Sequence, residues 1–169
     1  MQRIPALLVL AFLAAMPGVA RSAMSSSTAG VGPHGYDFLV GTWSCKNTMA
    51  SALSGPGATT LTIERSPSGA LAVHVSGAGF DAMGYVVYDA KTKMWWNPSA
   101  IANGGYGTES TKQTGKKTTW TGPFVDSTGK TMQQRDTYTW ASATSYTDLF
   151  QVETGGTWKT EGNTTCTKQ

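Results

Sequence analysis

From Gly41 to the C-terminus, turn chemistry cuts this chain roughly every 8–14 residues, and no piece between the cuts has the period of a helix. The cuts are clusters such as Pro67-Ser68-Gly69, Thr114-Gly115, Asp126 to Gly129 and Gly155-Gly156, in which Gly, Pro, Asp and Ser supply the dihedrals of tight turns. Parallel strands need crossovers of a dozen or more residues, usually helical. This chain has room only for hairpins. The spacing therefore predicts an all-β antiparallel meander of about ten strands. They fall near Gly41–Met49, Thr59–Arg65, Ala70–Ser76, Met83–Asp89, Met94–Pro98, Tyr106–Gln113, Lys117–Phe124, Thr131–Trp140, Ser145–Glu153 and Thr157–Lys168. With an even count, the first and last strands run antiparallel and can close the sheet into an up-and-down barrel.

The first strand opens with Gly41-Thr42-Trp43-Ser44-Cys45. Side chains alternate along a strand, so Trp43 and Cys45 share a face. The expectation is that Trp43 plugs one barrel end, while Gly41 lets backbone or another ring approach it. Cys166, the only other cysteine, lies in the last strand. Residues 2–20 carry Arg3, an apolar run from Ile4 to Met16 and then Pro17-Gly18-Val19-Ala20. That is the plan of a secretory signal peptide, with cleavage after Ala20 or Ser22. The apolar run is too short to span a bilayer comfortably, so no integral membrane segment is expected after processing. The expected location is the periplasm or the extracellular space. There a lone pair of cysteines most simply forms a disulfide, and Cys45–Cys166 would clamp the first strand to the last. Residues 21–33 read as a flexible lead-in and residues 34–169 as a single barrel domain, expected to be monomeric.

Charge excludes one class of partner. The full chain has 13 basic and 10 acidic side chains, and losing Arg3, with or without Arg21, brings the signs close to balance. No basic run is longer than Lys116-Lys117, so no nucleic-acid partner is implied. No zinc-type spacing, phosphate loop or Gly-x-Ser-x-Gly context is present. Neither a metal nor a catalytic residue is assigned.

The Gly41-Thr42-Trp43 start, the meander and the Tyr88-Asp89 turn followed by Trp95-Trp96 together resemble the calycin group of lipocalin-like, fatty-acid-binding-like and avidin-like barrels. The nearest likeness is to exported bacterial lipocalin-like domains without a settled function. The resemblance implies a lipocalin-like barrel around a ligand. It does not extend to cofactors: where avidin-like proteins carry a biotin-contacting Asn, this chain has Cys45, and no His follows His74 to ligate haem. Lipocalins also set a C-terminal Arg against the opening Trp. Arg135 is the candidate here, though its parity places it with Thr137 and Thr139.

Candidate binding residues come from the faces. Gln134, Asp136, Tyr138 and Trp140 share one face of the eighth strand, and Tyr146, Asp148, Phe150 and Val152 share one face of the ninth. A turn centred on Ser142 would set Asp136 opposite Asp148 and Tyr138 opposite Tyr146. Two carboxyls so placed would share a proton or hold a ligand's amine or hydroxyl. With Trp95, Trp96, Tyr106 and Trp120 as further walls, the predicted function is binding of a small hydrophobic or amphipathic molecule inside the barrel. Gln134, Asp136 or Asp148 would orient its polar end. Two other classes fit the same residues: a cofactor-free enzyme using Asp136 and Asp148 as general acid and base, and a fully packed barrel whose loops bind a protein. His74 is read as a surface residue. The inward faces of the fourth and fifth strands, apolar on both sides, stay open.

Overall fold

The computed structural model describes residues 35–48, 57–77, 79–112 and 115–169; the expected signal peptide, the expected lead-in and His34 lie outside them. Ten strands follow one another in chain order. They are β1 (Gly41–Asn47), β2 (Gly57–Arg65), β3 (Leu71–Gly77), β4 (Phe80–Asp89), β5 (Met94–Ile101), β6 (Tyr106–Thr111), β7 (Lys117–Val125), β8 (Thr131–Ser142), β9 (Ser145–Thr154) and β10 (Thr157–Lys168). Each pairs antiparallel with its neighbours in sequence, and β1 pairs with β10, so the sheet is a closed up-and-down barrel. Closure leaves no edge strand with unpaired backbone groups.

Strand β5 runs three residues past its predicted end at Pro98. Pro98 has no N–H to give, but it lies on the exposed outer side, and the β4–β5 ladder skips Tyr85 and Val86 opposite Pro98 and Asn97. The interruption stays local. Inward faces are now assigned: Gly84 and Val86 from β4, and Trp95, Asn97 and Ser99 from β5.

At the seam, Cys45 stands opposite Cys166 and the two are disulfide-bonded. Both are buried and face the barrel interior. A bulge at the far end of β10 makes this possible. Thr160 pairs with Gln151 and Gly162 with Phe150, which leaves Glu161 as an extra residue. One extra residue reverses strand parity, so Gly162, Thr164 and Cys166 point inward beyond it.

The barrel end where β1 begins is closed by a short 3-10 turn, Asp37–Leu39, laid across it. Trp43 is fully buried and its Nε1 donates to the Leu39 carbonyl at 2.7 Å. Around it the aromatic rings interlock: Tyr36 meets Trp95 edge-on at 4.9 Å, Phe38 meets Trp140 at 4.8 Å, and Trp43 meets Tyr146 at 5.2 Å. Asp37 forms an ion pair with Arg65 of β2. Lys168 Nζ donates to the Phe38 carbonyl at 2.9 Å and sits over the Trp43 ring at 5.5 Å. The cation against the opening Trp is therefore Lys168, not Arg135. Arg135 is on the outer face, where its Nε donates to Gln151 Oε1 at 2.8 Å and its guanidinium stacks on Trp158 at 4.3 Å.

The turn carboxylates stiffen the hairpins. Asp89 accepts from Lys91 N and Thr92 Oγ1, and Asp126 accepts from Thr128 N, Thr128 Oγ1 and Lys130 N. The threonine hydroxyls contribute most to holding both carboxyls below their usual range.

The seam disulfide spans 121 positions. In the chain-entropy account a loop of that size is worth roughly 4–5 kcal/mol. A Cys45→Ala/Cys166→Ala double variant is expected to lose about that much in urea denaturation, with the midpoint falling and the slope rising as the unfolded chain expands. An unchanged midpoint would show that the seam holds without it.

Candidate functional site

The barrel is hollow over part of its length. A cavity of about 290 Å³ lies between the aromatic end and the far rim. This is at the small end of the range for ligand pockets, about 300–1,000 Å³. Its walls are mostly apolar, from Leu61 and Ile63 of β2, Val73 and Val75 of β3, and Phe124 of β7. Small inward residues keep the space open, Gly84 of β4 among them.

The acidic groups gather on one side, where β6, β8 and β9 face inward. Glu109, Asp136 and Asp148 all line the cavity there, beside Gln134, Tyr138 and Tyr146. β7 lies between Glu109 and Asp136 and contributes Gly122, whose partner on β8 is Gln134. With no side chain at 122, Glu109 and Asp136 meet across it and hydrogen-bond each other. A side chain at 122 has no room, because its Cβ would run into the Thr108 carbonyl oxygen.

The expected face of each strand holds, but the pairing is corrected. The β8–β9 turn is centred one residue later than Ser142, so Tyr138 stands opposite Asp148, Trp140 opposite Tyr146 and Asp136 opposite Phe150. Asp136 and Asp148 are diagonal neighbours on one face, not a direct pair. A slip of two residues preserves parity, which is why both still point inward. The slip arises at the turn, where Ser142 pairs with Ser145 and Ala141 forms a bulge.

Of the predicted wall residues, Trp120 and Phe150 line the cavity together with Gln134, Asp136, Tyr138, Tyr146 and Asp148. Trp95 is buried but belongs to the aromatic end, packed on Tyr36 and Tyr88. Trp96 and Tyr106 are placed on the outer face, with Tyr106 57% exposed. Both corrections follow from parity: Trp95 points in, so Trp96 points out, and Glu109 points in, so Tyr106 points out. Expecting the aromatic Tyr106 inside inverts β6 and hides Glu109, which the sequence reading missed. The available signal was Gly122 between Trp120 and Phe124, an inward gap in β7 that a neighbouring side chain must fill. His74 is on the outer face, its Nε2 3.1 Å from Asp81 Oδ1.

Burial dominates the electrostatics. It raises the Glu109 carboxyl to about 7, against a hydrogen bond from Asp136 that lowers it and with repulsion from Asp148 adding to the rise. Asp136 is raised well above the carboxylate range by burial, then by the charge of Glu109. Asp148 is raised by burial and by the charge of Asp136. Tyr138 and Tyr146 are raised by burial and by the same acids, Asp148 foremost. The hydrogen bond between them raises Asp136 and lowers Glu109, so Asp136 is the donor of the pair. The Oε1 of Glu109 and the Oδ1 of Asp148 are buried and have no hydrogen-bond partner. The acids do not converge into a metal-ligand cluster, and none exists among the described residues. No helix among them is long and apolar enough to cross a membrane.

Compared with models of known protein families and with curated protein sequences, the chain finds no match. The closed antiparallel ten-strand barrel fits a calycin-like fold.

Acids whose folded pKa is raised make stability fall as pH rises. Below about pH 4.5 both states hold the Glu109 proton. Between there and about pH 7 the unfolded chain has released it and the fold has not, so folding takes up a proton. The loss for Glu109 alone is roughly 3 kcal/mol by pH 8, and Asp136 and Asp148 add to it in the same direction. The thermal midpoint is therefore expected to drop from pH 5 to pH 8. Asp148→Asn should flatten that slope and raise the midpoint at pH 8; a midpoint that climbs with pH in the parent protein would overturn the assignment. Separately, Gly122→Ala should cost about 1–3 kcal/mol as β6 and β7 are forced apart, read from urea denaturation.

Proposed function

We propose that this is an exported, monomeric, lipocalin-like protein that binds a small hydrophobic or amphipathic molecule inside its barrel. The observation that carries the reading is the cavity of about 290 Å³, apolar on most of its wall with its acidic groups gathered on one side. That combination is the usual plan of a small-molecule site: apolar surface supplies affinity, and a few placed polar groups set orientation. Trp120 and Phe150 form part of the apolar wall, while Gln134, Asp136 and Asp148 meet the ligand's polar end. No cofactor is needed.

Export is supported by the N-terminal pattern from Arg3 to Ala20 and by the disulfide, a bond that persists in oxidising compartments. The mature chain would begin at Arg21 or Ala23, which N-terminal sequencing of the exported protein reads directly. An unprocessed N-terminus on that protein would overturn the export reading.

Native mass spectrometry of protein purified gently from its exported fraction tests the binding reading. An added mass that disappears on denaturation is expected, and it would identify the ligand class. A neutral aromatic probe such as naphthalene should quench or shift tryptophan fluorescence. Trp120→Ala or Phe150→Ala should each weaken that probe about ten-fold, near 1.4 kcal/mol, whereas Asp148→Asn should leave it nearly unchanged. A bare mass and fluorescence indifferent to the probe would mean that the barrel takes up no ligand.

A further inference from the structure

The cavity has a one-sided charge. Among the described residues, the acids that line it are Glu109 from β6, Asp136 from β8 and Asp148 from β9, and no Lys, Arg or His lines it. The other titratable groups facing them are Tyr138 of β8, Tyr146 of β9 and Tyr36 from the closed end; Cys45 and Cys166 are bonded to each other. The lining side chains of β2 to β5 and of β7 carry no titratable group.

Two acceptors are left over. Glu109 is 3% exposed, and while it hydrogen-bonds Asp136, its Oε1 has no partner. Asp148 Oδ1, from a different strand, also has none. Buried oxygens without a donor are costly and rare in folded proteins. Both belong to cavity-lining residues, so a molecule in the cavity is positioned to supply the missing donors.

Donor arithmetic and charge select its chemistry. A hydroxyl has one O–H and can satisfy one of the two oxygens. An ammonium has three N–H donors and a positive charge, so one nitrogen can serve acceptors on β6 and β9 together. The aromatic rings of Tyr138, Trp140 and Tyr146 line the same cavity as the acids, and such rings favour a cation over an anion. An anionic head would meet acids with no basic side chain to offset them.

Building on the proposed binding function, we propose that the barrel selects a small amphipathic amine, an aromatic or aliphatic body carrying one basic nitrogen, and discriminates against carboxylates such as fatty acids. The nitrogen enters as the ammonium form and ion-pairs with Asp148 and Glu109. A carboxyl of the cluster that is protonated in the empty barrel releases its proton to solvent as the ion pair forms.

Three probes with one ring system and different heads test this: tryptamine, tryptophol and indoleacetate, titrated by calorimetry at pH 7.5. Tryptamine is expected to bind at least ten-fold tighter than either of the others. The released proton is taken up by the buffer, so tryptamine's binding heat should differ between phosphate and Tris by the difference in the two buffers' ionisation heats for each proton released. Asp148→Asn should reduce the amine's advantage to less than about three-fold, while a thermal midpoint at least as high as the parent's shows that the variant is folded. Glu109→Gln should act in the same direction. Equal affinities, or a preference for indoleacetate, would overturn the amine selectivity and leave the apolar binding reading standing. If no probe binds, and neither does naphthalene, the binding reading itself fails.

Discussion

The structure depends on the seam between β1 and β10. An up-and-down sheet has two edges, and only this pairing removes them, with Trp43 to Asn47 set against Thr164 to Lys168. The seam is fixed at three heights. Gln169 N bonds to the Thr42 carbonyl at one end, Cys45–Cys166 crosses in the middle, and Thr48 N reaches the Asn163 carbonyl at the other. Because the disulfide points inward, it is also part of the cavity wall. Closure and the interior are therefore set by the same residues. Without the bulge at Glu161, parity would turn Cys166 away from Cys45, and the last strand could not both pair with β9 and meet β1 as it does.

The two ends of the barrel follow different physics. One is a solid: Tyr36, Phe38, Trp43, Trp95 and Trp140 fill it as tilted and edge-on rings, the geometry aromatic quadrupoles prefer. Its polar atoms are used internally, as in the Trp43 bond to Leu39 and the Lys168 bond to Phe38. The rest of the interior, with Val73, Val75, Ala82, Gly84 and Ser99 among its lining residues, holds the cavity. Rings concentrated at one end leave the middle of the barrel underfilled, which is why a barrel of only ten strands has a cavity at all.

Much of this was legible in the chain because turn chemistry and period-2 alternation are local signals. Strand number, antiparallel order, the Cys45–Cys166 clamp and the shared inward face of Asp136, Tyr138, Tyr146 and Asp148 all follow from them. What the sequence did not disclose depends on single-residue counts. The β8–β9 register is moved two positions by a turn at Ala143-Thr144 together with a one-residue bulge at Ala141, and no residue type in the Trp140 to Ser145 stretch announces either. In β6, the aromatic Tyr106 and the charged Glu109 suggest the reverse of their true faces, since hydrophobicity alone says ring inside and carboxyl outside. Local preference lost there to tertiary context: the inward gap at Gly122 can be filled from β6 only by Glu109. The closing cation was misplaced for a similar reason. Lys168 sits at the last residue of β10, a position whose reach to Phe38 exists only once the barrel has closed.

That reversal at β6 bears on what the interior is for. A barrel selected only for stability would carry apolar residues at 109, 136 and 148, where burial disfavours the ionised carboxyls and two oxygens go without donors. Replacing buried ionisable groups with well-packed apolar ones is often neutral or stabilising. The three acids come from three strands, face the same space and have no basic residue among them to make them a structural ion-pair network. Sites that bind or react are where proteins tolerate such costs, because a well-satisfied interior has nothing left to offer a ligand. On the proposed binding function, the unmet acceptors of Glu109 and Asp148 are half of an interaction rather than a flaw in packing, and the ligand supplies the other half.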